Sequence, residues 1–409
     1  MIYNHPMHIL LIHQAFAAID EPGGTRHHEF ARLLADMGHE VSIITSPISY
    51  LTGSEISKKR KEARLDEKIH IYRTYTYPAL HKSFFHRLIS FGSFMLSSFI
   101  QSLRVKNVDL VWGTSPPIFQ AFTAWLVSRW KKVPFLLEIR DLWPAFAIAV
   151  GVLKNNFLIT LSRKLEIFLY KHADQIIVNS PGFVQHITEK GGKDIRVVPN
   201  GSDIELFVEG KYADNLRKNL NWEDKFVVLY AGAHGLSNDL EVVVRAAKIL
   251  ESIEEIHIAF LGDGKEKENL RLLSEKINVT NISFLNPVPK NEIAGYLFAA
   301  NTCLAILKPI ELYKTTYPNK VFDYMAAGRP VVLAIDGVIR EIVEKANCGI
   351  FCEPGSPEAI ANAVIQLHHD PENTAQMGRN GKEYLMKYFD RKNTVRQFAD
   401  MIKKITVNQ

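Results

Sequence analysis

Lys320 and Asp323 stand in TTYPNKVFDYMAAGRPVV, residues 315–332, and their types and spacing suit the binding of an anion and a diol. Pro318 fits the first turn of a helix, and Gly328 with Pro330 ends it, so the pattern predicts a helix over 319–327. A lysine at the start of a helix opposes the macrodipole unless an anion offsets both charges. An aspartate three residues on shares its face. A phosphate on Lys320 and ribose hydroxyls on Asp323 would fit; so would a solvated i, i+3 ion pair. Lys308, closing the apolar run of AILKP, is either a second charge near the same anion or a surface lysine.

Two further stretches follow apolar runs. In EIRDLWP, Glu138, Arg140 and Asp141 are charged residues that packing explains poorly, and Trp143-Pro144 adds a stiff apolar wall. The alternative is a salt-bridged strand end. In GGTR, Gly23 and Gly24 permit close approach of a ligand to free N–H groups, and Arg26 lies in the next turn. A plain turn is the alternative, because the G-x-G-x-x-G dinucleotide fingerprint is absent. Asn200-Gly201 in VVPNGSD signals a turn.

Composition narrows the function. A net charge of +5 is too small to imply nucleic acid and is compatible with anionic substrates or an anionic lipid surface. Three cysteines do not make a disulfide scaffold, and Cys348 and Cys352 lack the second pair of a zinc site. With no Asp-x-Asp pair and no histidine cluster at a metal-holding spacing, the sequence predicts chemistry without a metal. The aromatic-rich uncharged run 88–103 is shorter than the roughly 20 residues of a spanning helix. The N-terminal run reads as a strand and not as a signal peptide.

These residues must be positioned by something. The chain alternates apolar runs of strand length with helical patterns: MHILLIHQAF, the helix of RHHEFARLLADMGHE, then VSIITS. That order implies parallel strands with right-handed crossovers. The alternation lapses in the polar stretch near 205–225 and then resumes with FVVLYAG. The fold class predicted is α/β, two doubly wound Rossmann-like domains facing across a cleft, over 1–205 and 206–387. A last helix, about 388–409, returns to the first domain. Ligands of such folds bind outside the carboxyl ends of the strands. The aromatic helix FFHRLISFGSFMLSSFIQSLRVKN is either a core helix or a face that meets a membrane.

The tail NKVFDYMAAGRPVV resembles the nucleotide-binding segment of glycosyltransferase family 4, retaining enzymes of GT-B architecture, and especially the branch that builds bacterial surface polysaccharides. GGTRHHEFARLLADMGHEVSIIT, EIRDLWP, VVPNGSD and NISFLNPVPKNEIAGYL agree with it in order along the whole chain. The resemblance implies a hexose, glucose first and then N-acetylglucosamine, moved from a UDP-sugar to a saccharide or lipid-linked acceptor. No cofactor is implied beyond that donor, and the location implied is the cytoplasm or the inner membrane face. It assigns the diphosphate to Lys320, the ribose to Asp323, and the uracil to backbone around Asn286–Val288. It puts Gly24 near the β-phosphate and the acceptor, with Gly23, Arg26 and Glu138 on the acceptor side. Arg140-Asp141 occupies the place of a catalytic His-Asp pair. Thr315 replaces the first glutamate of the family's E-x(7)-E, so backbone at Thr316, Tyr317 and Asn319 is expected to grip the sugar. His234 and Asn238 stand where a basic pair is usual. The other readings are a UDP-sugar epimerase of the same architecture and a non-catalytic homologue.

Overall fold

The computed structural model describes residues 6–18, 21, 24–49, 53, 55, 62–79, 84–208 and 212–407. The chain forms two compact units, Met1–Pro199 with Lys392–Gln409, and Asn200–Arg391.

The first unit is built on eight strands: β1 (His8–Ile12), β2 (Glu40–Thr45), β3 (Glu62–Asp66), β4 (Ile69–Arg73), β5 (Leu110–Ser115), β6 (Phe135–Ile139), β7 (Gln175–Val178) and β8 (Ile195–Val197). Their order in the sheet is β3-β4-β2-β1-β5-β6-β7-β8. All neighbours pair in parallel except the β3–β4 pair. The helices between them are α1 (Arg26–Asp36), α2 (Phe84–Arg104), α3 (Ile118–Lys131), α4 (Ala145–Ala149), α5 (Asn156–His172) and α6 (Phe183–Glu189). The central strands are covered on both faces, so β1 and β5 are buried almost from end to end and do not alternate.

The second unit has six parallel strands: β9 (Phe226–Ala231), β10 (Ile256–Leu261), β11 (Ile282–Leu285), β12 (Thr302–Ile306), β13 (Val331–Ala334) and β14 (Gly349–Phe351). Their order is β11-β10-β9-β12-β13-β14. Its helices are α7 (Tyr212–Asn219), α8 (Leu240–Leu250), α9 (Lys267–Lys276), α10 (Lys290–Ala299), α11 (Asn319–Ala326), α12 (Val338–Lys345), α13 (Pro357–His369) and α14 (Pro371–Tyr388). Each unit is thus a Rossmann-like domain.

The chain divides between Pro199 and Asn200 because the Asn-Gly turn is tied to the second unit. Arg391 donates to the carbonyls of Asn200 at 3.0 Å and Gly201 at 2.6 Å. Gly201 has a φ of +56°, and a Cβ there would lie 2.2 Å from the Phe389 carbonyl, so glycine is required. The last helix, α15 (Arg391–Val407), places Val395, Phe398, Ala399 and Ile402 in the core of the first unit. Phe398 is fully buried, with its ring 4.9 Å from Trp112 and 5.5 Å from Phe30.

Several elements were not visible as patterns. The β3–β4 hairpin, α12, α14 and the three-residue β14 are additions to the reading above, and α7 lies in the stretch read as irregular. Among the described residues no helix is long and apolar enough to cross a membrane. The aromatic helix of the sequence is α2.

Truncating Phe398 removes an aromatic keystone from the first unit. Phe398→Ala is expected to cost about 3–5 kcal/mol, measured by chemical denaturation with fluorescence detection.

Candidate functional site

Lys320 sits on the first turn of α11 and reaches back under the loop that follows β9. Its ammonium nitrogen is wholly buried and has no hydrogen-bond partner. It lies 3.7 Å from the centre of the Tyr230 ring. A Cβ on Gly232 would come within 2.9 Å of it, so glycine gives the lysine its room. Burial lowers the Lys320 pKa to about 7. An ammonium held this way lacks the one thing that would stabilise its charge, an anion.

The loops around Lys320 are laced together by backbone. His234 N–H donates to the Asp263 carbonyl at 2.8 Å, and Glu266 N–H donates to the His234 carbonyl at 3.0 Å. A Cβ on Gly262 or Gly264 would collide with the carbonyl of Gly232 or His234, at 2.0 and 2.3 Å. The glycines of LGDGKE are therefore needed for loop-to-loop contact. His234 is fully buried with both ring nitrogens unpartnered. Burial first, then the charges of Lys267 and Lys320, lower its pKa to about 4, so the ring is neutral. Thr316 Oγ1 and Asn319 Oδ1 are further buried polar atoms without partners, both at the mouth of α11. A buried unsatisfied polar group costs about 1–3 kcal/mol, and a ligand would relieve it.

Asp323 differs from its expected setting. Its Oδ1 accepts from Ser202 Oγ at 2.8 Å, and its Oδ2 is ion-paired with Lys290 of α10. The i, i+3 pair with Lys320 does not form, because the two side chains are drawn to different neighbours. Lys308 lines a cavity of about 190 Å³ with Asp239, Glu241 and Glu266. Tyr317 is packed against the rings of Phe322 and Phe389, its phenol pushed up to about 12 by burial first. Asn286 is exposed at the end of β11, and Val288 packs on the core. Thr315 Oγ1 donates to the Leu312 carbonyl at 2.7 Å.

In the first unit Arg26 and Glu138, expected on the acceptor side, form a buried ion pair at 2.9 Å. Glu138 also receives His27 Nε2 at 2.6 Å and Trp112 Nε1 at 3.1 Å. Arg26 completes its fork on the carbonyls of Pro199 at 2.9 Å and Val198 at 3.0 Å. Burial pushes the Glu138 pKa up, but His27 and Arg26 outweigh it and hold the carboxyl well below the usual range. These groups are spent on each other, which makes them structural. Gly24 is exposed, and a Cβ there would meet nothing within 4 Å. Gly23 lies outside the described residues.

Asp141 is different. Burial raises its pKa to about 7 against the opposing charge of Arg140, and its Oδ1 has no partner. Arg140 itself is anchored to Thr114 Oγ1 at 2.7 Å and to the Pro116 carbonyl at 2.9 Å. Unpartnered buried atoms of His13, Ser115 and Asn179 accompany Asp141. They fall at the carboxyl ends of β1, β5, β7 and β6, four adjacent strands. His13, Ser115 and Asn179 were missed from sequence. The signal that marked Asp141, a polar residue closing an apolar run, marks each of them equally. Among the described residues no three His, Cys, Asp or Glu side chains gather as a metal-holding group.

Residues 23–201 match the family described as "Glycosyl transferase 4-like domain", and residues 213–384 match "Glycosyl transferases group 1". This chain is a glycosyltransferase of GT-B fold and family 4 type. Its sequence is similar to the putative colanic acid biosynthesis glycosyl transferase WcaI of Escherichia coli, 25% identical over 92% of this chain and 94% of that protein. It is also similar to the sulfoquinovosyl transferase SQD2 of Arabidopsis thaliana, 23% identical over 89% of this chain and 67% of that protein. Among solved structures, sucrose-phosphate synthase from Thermosynechococcus elongatus covers 98% of the glycosyltransferase at 18% identity with a TM-score of 0.80; all of that chain is matched. HepE of Anabaena, in complex with UDP-glucose, covers 97% at 17% identity with a TM-score of 0.75, and again all of that chain is matched.

The Glu138 cluster has a testable energy. Glu138→Ala strands Arg26 and His27 in a buried setting and is expected to cost the glycosyltransferase about 3–5 kcal/mol of stability, read from its denaturation midpoint.

Proposed function

We propose that the protein transfers a hexose, glucose first and N-acetylglucosamine second, from a UDP-sugar to a hydroxyl of a saccharide or lipid-linked acceptor, with retention at the anomeric carbon, in surface polysaccharide synthesis. The observation that carries the donor half is the buried Lys320 ammonium with no partner at the N-terminus of α11. A diphosphate supplies the missing anion, and the free N–H groups of the first turn add to it. HepE, which shares the fold, has been solved with UDP and glucose and with UDP-glucose. WcaI and its relatives named for lipopolysaccharide core and teichuronic acid synthesis support the polysaccharide setting.

In this reading Lys320 takes the charge that grows on the leaving diphosphate as the glycosidic bond breaks. Asp323, preset by Lys290 and Ser202, retains lone pairs for the ribose hydroxyls, since a carboxylate offers about four acceptor sites. Backbone at Thr316, Tyr317 and Asn319 faces the sugar, Lys308 adds long-range charge, and backbone at Asn286 and Val288 meets the uracil. Asp141, with its carboxyl near neutrality, hydrogen-bonds a sugar hydroxyl, while Arg140 lends positive charge. The protein works in the cytoplasm.

Lys320→Ala should lower turnover at least tens-fold and weaken UDP binding, with the fold kept. Unchanged UDP affinity by calorimetry, in a variant of native circular dichroism, would sink the donor assignment.

The pH dependence follows from the same lysine. Its native pKa near 7 lies far below the roughly 10.4 of a free lysine, so the unliganded protein gains stability as pH rises from about 7. A bound diphosphate raises that pKa, so binding takes up a proton. UDP-glucose affinity should therefore fall as pH rises through about 7 and upward, by at most tenfold per unit. Calorimetry in buffers of different ionisation heat reads the proton directly, and Lys320→Met should abolish the uptake.

A further inference from the structure

Lys290 has no counterpart among the residues picked out from sequence. It opens α10 shortly after β11 ends at Leu285, so it stands at the carboxyl end of the second sheet, where such folds bind ligands. It follows directly on the segment 286–288 assigned to the uracil. A cation at the first helical position opposes the macrodipole, as Lys320 does on α11. Its ammonium is ion-paired with Asp323 Oδ2 and lies 5.5 Å from the centre of the Phe207 ring. The other oxygen of that carboxylate accepts from Ser202 Oγ at 2.8 Å.

This couple is only partly used. An ammonium has three N–H donors and a carboxylate has about four acceptor positions. Among the described residues no other hydrogen bond or ion pair engages the Lys290 ammonium, and the Asp323 carboxylate receives only Ser202 and Lys290. The pair can also still be reached. The Lys290 and Asp323 side chains keep 11% and 16% of their surface exposed, where those of Arg26 and Glu138 keep 4% and 0%.

An ammonium beside a carboxylate offers a donor and an acceptor together. A vicinal diol offers the same pair in return: one hydroxyl donates to the carboxylate, and the oxygen of the other accepts from the ammonium. A phosphate does not match, because Asp323 would repel it. A single hydroxyl leaves one of the two charges unanswered.

We propose that Lys290 is a specificity-determining residue of the donor site: with Asp323 it reads both hydroxyls of a ribose and so selects ribonucleotide donors over deoxyribonucleotide donors. The proposal rests on the transferase reading and deepens it by naming the donor class admitted. A site built to hydrogen-bond a hydroxyl rejects the analogue that lacks it, because the site's own polar groups are then left unpaired.

The test uses the full-length protein and calorimetry with UDP and 2′-deoxy-UDP. The wild-type protein should bind UDP tighter by about tenfold or more. Lys290→Met should bring UDP down to the affinity of 2′-deoxy-UDP while leaving the deoxynucleotide within about threefold, and Lys290→Arg, which keeps a donor, should retain part of the preference. Lys290→Met leaves Asp323 without its cation, so Lys290→Met/Asp323→Asn, which removes both charges together, guards against loss of the fold; it too should lose the preference, with native circular dichroism. Equal wild-type binding of the two nucleotides, a preference that survives in either Met variant, or an equal weakening of both nucleotides by Lys290→Met would each overturn the proposal. Absence of UDP binding by the wild-type protein would overturn the donor reading itself and this proposal with it, so the two failures are distinguishable.

Discussion

An ammonium removed from water must be answered by an opposite charge or give up its proton. Lys320 is such a group, and the second unit is arranged around it. Tyr230 gives it a ring face, Gly232 gives it space, and the backbone-laced loops after β9 and β10 fix that space in shape. His234, neutral and unpartnered, adds no competing charge. Among the described residues nothing supplies an anion to Lys320. The same helix turns its other polar side chain, Asp323, to Lys290 and Ser202, which ties α11 to α10 and to the turn at 200–203.

The first unit answers its buried charges internally. Glu138 on the central strand β6 collects Arg26 and His27 of α1 and the indole of Trp112 on β5. Trp112 in turn carries Phe398 of the C-terminal helix. A buried pair of this kind is weak evidence of stability gained, but breaking it is costly, so it fixes which helix sits where. Next to this closed cluster lies an open one, Asp141 with His13, Ser115 and Asn179. The contrast between satisfied and unsatisfied charge separates framework from candidate site more sharply than charge alone.

Long apolar runs and their alternation with helices were legible because a parallel sheet covered on both faces needs uninterrupted apolar strands. Short or polar elements were not. β14 has three residues, and α14 packs partly through Gly378, whose bare backbone meets the Gly328 carbonyl. Ala213 and Leu216 of α7 are buried only because the second core lies beneath them. Lys320 was legible as an oddity of helix electrostatics, and Asp141 as a polar residue closing an apolar run.

The sequence by itself determined the two Rossmann-like halves, the family and the helix that begins with Lys320, since these rest on local periodicity and motif. Only tertiary structure decided which charges are spent. Arg26 and Glu138 are far apart in the chain and look as free as Lys320 on paper. Folding brings these two together, and it leaves Lys320 without an answering charge among the described residues, because pairing depends on distance in space and not on spacing along the chain.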